Sequence, residues 1–311
     1  MSAAIVILVA VAVGCIPAAS ALAAASWPHR SPAAAILLWQ ALGLGWGLAA
    51  IGALVGIGAA SRSSAVASGA LAQLRAVLTT GVAKGLLGVA QLACLVAGIC
   101  LLMVLCWILI AASASVVRAR QRQHTLLNLL AHGDPKVPGA LVVDHPAAAA
   151  YCLPGLRSAI VVSAGVLELL DADELAAVLA HERAHLRERH DLVLLPFTAL
   201  LRAFRWASVA RQAHQAVGLL VEMHADDRAL RQRPARELAT ALLRVGAAGG
   251  GGVPSGALAA AAPTMSCEVA ARVVRLLRPA PGLSPAMRTL VLLAAAIIVV
   301  VPAALLALPL T

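Results

Sequence analysis

DADELAAVLAHERAHLRERH, residues 171–190, is the stretch that decides how this chain is read. Asp171 is placed to cap a helix N-terminus, and Glu174, three residues on, to return a bond to the cap backbone. Leu175, Val178, Leu179 and Leu186 then recur at helical spacing and give the helix an apolar face. Residues four apart share a helix face, so His181 and His185 can offer two imidazoles to one cation. Glu182 stands beside the first imidazole, where a carboxylate can serve as general base toward an attacking water. HExxH is the spacing expected of a zinc hydrolase helix. The competing reading is a solvated, charged helix face, because Arg183, Arg187, Glu188 and Arg189 surround the motif.

A catalytic zinc site takes three protein ligands and keeps one position open. VEMHADDRAL, residues 221–230, supplies the candidate third ligand, Glu222, whose apolar flank leaves a carboxylate in need of a partner. Asp226, four residues later, can accept a hydrogen bond from the far nitrogen of a ligand histidine and so fix the ring. The candidate set is therefore His181, His185 and Glu222 for one Zn2+ per chain, with Glu182 and Asp226 as catalytic carboxylates. Tyr151, the only tyrosine, is a candidate donor to a tetrahedral intermediate. His190 is a candidate for positioning the end of the site, with a solvated histidine as the alternative. His224, two residues from Glu222, is expected to point elsewhere, and His124, His132, His145 and His214 have no spacing that recommends them.

Around this core the chain is apolar. Of 311 residues, 61% are hydrophobic and 12% are charged, about half the charge of a typical soluble domain. Four apolar runs are long enough for a bilayer crossing: residues 3–25, 33–60, 85–112 and 290–310. The first resembles a signal peptide in length, but no basic residue precedes it and further spans follow closely, so it is expected to be retained. Gly52 and Gly56 form a small-xxx-small pair suited to close helix packing, and Pro302 is expected to bend the last span. The chain is thus divided into a three-helix membrane region, 1–112, a central domain, 113–288, and a C-terminal span, 289–311.

The net charge of +10 comes mostly from the central segment. Aromatics make up only 3% of the chain, which removes the stacking platforms of nucleic-acid and carbohydrate binding; no direct nucleic-acid contact is expected. Arg118, Arg120 and Arg122 follow span three, and Arg272, Arg275, Arg278 and Arg288 precede span four. By the positive-inside rule the central domain is expected in the cytoplasm, with both termini outside a plasma membrane. The 61–84 connection, with Arg62, Arg75 and Lys84, opposes this weakly. The six cysteines show no CxxC spacing, so no disulfide scaffold is read, and most are expected to be small buried hydrophobes.

Within the central domain, residues 116–131 extend span three and HGDPKVPG, 132–139, breaks it. ALVVD, 140–144, and SAIVVS, 158–163, read as strands, whereas AAAAYCLPG, 147–155, is ambiguous. DLVLLPFTALLRAFRWASVA, 191–210, reads as one helix, with Arg202, Arg205 and Trp206 suited either to a membrane interface or to a plain core. Further helices are expected over 211–231, 234–245 and 265–277, with a glycine-rich loop over 246–263.

ELAAVLAHERAHLRERHD followed by EMHAD resembles the membrane zinc metallopeptidases of the gluzincin type, and LPGLRSAIVVSAGVLELLDADEL, 153–175, resembles the strand and helix that lead into their motif. The resemblance implies a mainly α, multi-span membrane protein with four transmembrane helices and a gluzincin-like α+β zinc metallopeptidase domain between spans three and four. Two related groups fit, the BlaR/MecR type and the CAAX-protease and HtpX type. The span layout favours the BlaR/MecR type, in a short form without the penicillin-binding sensor domain, since no SxxK element follows span four. That implies a protein or peptide substrate, a cytoplasmic transcriptional repressor in the BlaR/MecR case, and signalling in an antibiotic response. The alternatives are HtpX-like quality control of membrane proteins and an inactive signalling scaffold. The joint presence of His181, Glu182, His185, Glu222 and Asp226 argues against the scaffold.

Overall fold

The structure, a computed structural model, describes residues 3–59, 85–134, 137–155, 158–248 and 262–307. The 61–84 connection and most of the glycine-rich stretch lie outside the described residues. The protein is mainly α-helical and divides into two compact units. The first comprises Met1–Ile110, Ala199–Ala216 and Leu283–Thr311; the second comprises Ala111–Thr198 and Val217–Gly282.

The first unit is built from α1 (Ala3–Ala24), a 3-10 turn (Trp27–Arg30), α2 (Pro32–Ala59), the N-terminal part of α3 (Gly85–Leu130) and α10 (Pro285–Ala307). These are four helices long and apolar enough to cross a membrane. Helix α2 lies against both α1 and α10, and its glycines set how closely. A Cβ on Gly45 would run into the Ile298 carbonyl at 2.6 Å, and one on Gly52 would press on Leu306 at 3.0 Å and Leu8 at 3.2 Å. Small residues let apolar helices approach where no hydrophobic force between them helps. Met103, Trp107 and Ile110 on α3 and Leu293, Ile297 and Val300 on α10 are exposed. A bilayer covers such a surface and water does not.

The 191–210 stretch is not one helix. Helix α6 (His190–Ala203) ends before Phe204, and α7 (Ser208–Ala229) begins after a break that holds Trp206. Trp206 is 82% exposed, which removes the plain-core reading for this corner. Its indole meets the Phe204 ring edge-on at 6.2 Å.

The second unit is α+β. Its strands are β1 (Ala131–Gly133), β2 (Ala140–Val143), β3 (Ala150–Leu153) and β4 (Ala159–Ser163), in the order β1-β2-β4-β3. β2 and β4 are parallel, with Leu141 opposite Val161; β1 and β3 run antiparallel to their neighbours. Alternation along the strands separates two faces. Tyr151, Leu153, Val161 and Val143 gather with Leu127 of α3 on one. On the other, Ala140, Val142, Ile160 and Val162 meet α4 (Ala164–Leu169), α5 (Ala172–Arg187) and α8 (Ala235–Ala247) through Val166, Leu175, Leu179 and Ala241. The opposite side of α5 brings Ala177 and Ala180 against Ala229 of α7, Leu238 of α8, and Val273 and Leu276 of α9 (Ala262–Leu277). The motif helix is thus clamped between sheet and helices, and its alanines make room for the close approach.

Both ends of this arrangement are pinned locally. Ser163 Oγ accepts from Val166 N and Ala149 N, closing the β4–α4 junction. Gly165 N donates to His145 O at 3.0 Å, and a Cβ there would overlap the Pro146 carbonyl. Asp171 Oδ1 accepts from Glu174 N at 2.9 Å and Asp173 N at 3.1 Å, while Glu174 Oε2 accepts from Asp171 N at 3.1 Å, a complete capping box. Arg244 of α8 donates to the same Glu174 oxygen at 2.8 Å. Asp171→Ala is expected to lower stability by about 1 kcal/mol, read as a fall in the denaturation midpoint without loss of helix content.

Candidate metal centre

The rigid α5 frame aims His181 and His185 at α7. His181 Nε2 lies 3.0 Å from His185 Nε2, and the two nitrogens lie 3.4 and 3.5 Å from the Glu222 carboxylate oxygens. These three donors form the one group among the described residues able to surround a single ion. Bonds of about 2.0–2.1 Å to a tetrahedral zinc place its ligand atoms about 3.3 Å apart. The observed separations bracket that value, and two imidazoles with one carboxylate are a zinc donor set. His181 is buried, whereas the Glu222 side chain keeps 38% of its surface open. The cluster is therefore reachable from one side.

The surrounding charges favour a cation at this point. Burial alone would hold His181 neutral, but Asp226 and Glu222 outweigh it and raise its pKa to about 10. His181 Nδ1 is 2.9 Å from Asp226 Oδ1. Burial lowers His185 to about 4, which keeps its ring neutral and its lone pair available. Burial would raise both Glu222 and Asp226, but the nearby histidines and Arg272 overcome it and hold both carboxylates below their ordinary range.

Glu182 behaves differently from these two. Burial pushes it up to about 7, with His181 partly opposing. A carboxylate poised there can both take and return a proton near neutrality. Its neighbour is Cys152 of β3, whose thiol is itself raised by burial and by the Glu182 carboxylate.

Residues 116–241 match the model of peptidase family M48. This part of the chain is similar to peptidase family M48. No curated protein and no solved structure matches the chain. The M48 segment takes in the end of α3, the sheet and the whole of α5 and α7, so it contains all three clustered donors, Glu182 and Asp226. The match is to the zinc-peptidase family, not to its BlaR/MecR relatives in particular.

One residue that builds the centre lies beyond the M48 segment. Arg272 of α9 is buried and forms a fork with Asp226, Nε to Oδ2 at 2.9 Å and Nη2 to Oδ1 at 2.7 Å. Its third nitrogen, Nη1, is 3.0 Å from Glu222 Oε2. Sequence reasoning placed Arg272 and Arg275 in a basic flank at the membrane edge. The structure instead pairs Arg275 with Asp227 at 2.7 Å and Arg272 with Asp226 and Glu222, because α9 packs on α8 and turns both arginines to the carboxylates of α7. The signal was present: Val269, Arg272, Val273 and Leu276 share one helical stripe, and an arginine in a core stripe needs a buried partner.

Other candidates fall elsewhere. Tyr151 points to the Leu127, Leu153 and Val161 face of the sheet, and strand alternation turns Cys152, not Tyr151, toward α5. His224 faces Glu188, with Nε2 3.9 Å from Oε2, rather than the donor cluster. Cys15 is a buried small residue, whereas Cys100, Cys106 and Cys267 are exposed.

Proposed function

We propose that the protein is a membrane-embedded zinc-dependent endopeptidase that hydrolyses peptide bonds in a protein substrate. The observation that carries this reading is the convergence of His181 Nε2, His185 Nε2 and the Glu222 carboxylate, one ligand atom from each lying within 4.8 Å of the others, in a segment that matches family M48. His181, His185 and Glu222 would hold the zinc. When bound, the ion supplies Lewis-acid polarisation of the scissile carbonyl and acidifies water.

The chain's own residues do the rest. Asp226, held by the Arg272 fork, orients the His181 ring from behind. Glu182 takes the proton of the attacking water and delivers it to the leaving amine, a role its raised pKa suits. β3 is the edge of the sheet and carries Cys152 beside Glu182. An extended substrate can pair its backbone with that edge, so that main-chain bonds bind it and side chains matter less.

Within this activity, we infer a regulatory role of the BlaR/MecR kind, with cleavage of a cytoplasmic repressor, supported by three apolar helices before the peptidase domain and one after it. The family match supports a second reading, HtpX-like removal of damaged membrane proteins. For either, the domain division is 1–112, 113–288 and 289–311, with the central domain in the cytoplasm and both termini outside. A protease-sensitive tag inserted near Gly249 is expected to resist protease added to intact cells; cleavage there would reverse the orientation.

Purified protein is expected to hold about one zinc per chain, and none in preparations never exposed to chelator would overturn the enzyme reading. Comparing the proteomes of cells that carry wild-type or Glu182→Gln protein identifies the substrate. A single DNA-binding fragment lost in the variant supports the regulatory reading; many membrane-protein fragments lost together support quality control.

A further inference from the structure

Helix α5 ends at Arg187, and Arg189 then adopts φ = 50°, the only left-handed non-glycine residue among those described. A side chain with a Cβ meets a steric penalty in that conformation. What the turn achieves is the placement of His190. On a continued helix a residue five positions after His185 would lie about 140° around the axis, since each residue turns about 100°. The reversal at Arg189 instead brings His190 Nδ1 to 2.9 Å from His185 Nδ1. The two rings meet edge to face at 4.8 Å, and His224 closes the other side of His190 at 5.5 Å. His190 is buried, and its Nε2 has no hydrogen-bond partner among the described residues. Among the described residues, the hydrogen bond of this buried ring goes to His185.

Two nitrogens at 2.9 Å share one hydrogen, so the direction of the bond fixes both tautomers. If His190 donated, a neutral His185 would carry its hydrogen on Nε2, pointed into the donor cluster. If His185 donates, its Nε2 lone pair faces that cluster. We propose that His190 is a positioning residue whose Nδ1 accepts the Nδ1–H of His185 and holds that ring in the tautomer able to ligate a cation. This rests on the zinc reading above. It makes the two histidines unequal: His181 is backed by an arginine-bound carboxylate, His185 by a neutral imidazole.

The test uses full-length protein in detergent, with zinc affinity measured by chelator competition. Asparagine can place an acceptor oxygen near the position of Nδ1, and leucine has similar size without one. His190→Leu is expected to weaken zinc binding about 10–100-fold, while His190→Asn stays near wild type. Wild-type affinity in both variants overturns the inference, and so does an equal loss in both, which would assign the effect to ring shape. Wild-type protein that binds no zinc overturns the zinc reading and this inference together, whereas tight wild-type binding that neither substitution weakens overturns this inference alone. Should the leucine variant fail to fold, imidazole nitrogen NMR of zinc-loaded wild type decides. His190 is expected to show a pyridine-like Nδ1 and a protonated Nε2; a protonated Nδ1 overturns the assignment.

Discussion

Glu182→Gln is expected to reduce peptide hydrolysis by a factor of about 10²–10⁴, the usual contribution of a general acid–base group, while zinc content stays at the wild-type level. The substitution keeps the shape and removes the proton acceptor. None of the three clustered donors belongs to Glu182, so metal binding and turnover separate in this variant. The measurement is turnover of an identified substrate alongside metal content of the same preparation. Turnover that persists near the wild-type rate assigns the base to another residue.

Arg272→Met is expected to have the largest effect on stability, a loss of about 3–5 kcal/mol, because it leaves carboxylates without their buried counter-charge. Asp226 is 0% exposed and takes both fork bonds from Arg272, so water cannot replace the arginine. Arg272→Lys keeps the charge but not the fork and is expected to lie between. The double variant Arg272→Met with Asp226→Leu is expected to recover most of the stability, since a matched apolar pair removes the uncompensated charge. It is not expected to recover activity, because His181 then lacks its carboxylate.

The same pair sets an acid limit. The folded Asp226 carboxyl is held below its ordinary value, so the group binds fewer protons folded than unfolded. Its contribution is complete above about pH 4, the unfolded value, and is lost as pH falls through the lower folded one. Thermal midpoints of wild type and the double variant, followed into acid, are expected to converge.

Where one stretch carried its own physics, the sequence was readable. The capping box at Asp171 and Glu174 is a local contact, and the His181/His185 spacing follows from a single helical turn. The apolar runs are legible because the span of a bilayer fixes their length, and Gly52 shows its role through small size alone. Illegible features depend on what lies across a gap. β1 is three residues held by backbone pairing, so no side-chain period announces it. β3 hides in an alanine run, and only its pairing with β4 decides that Cys152, rather than Tyr151, faces α5. The role of Arg272 in the centre is hidden because a basic residue near a span has a ready membrane explanation, while its partners lie 46 and 50 positions earlier in the chain. His190 became informative only once the turn at Arg189 was visible, since helical spacing argues against its meeting His185.

The position of Arg272 also bears on how the protein can be cut down for study. A fragment ending at residue 241 would retain the full family segment and every candidate ligand, yet it would strip Asp226 and Glu222 of their cation. A fragment meant to keep the candidate centre is therefore expected to need all of α9, and shorter ones are expected to be insoluble or metal-poor even though their motifs are intact.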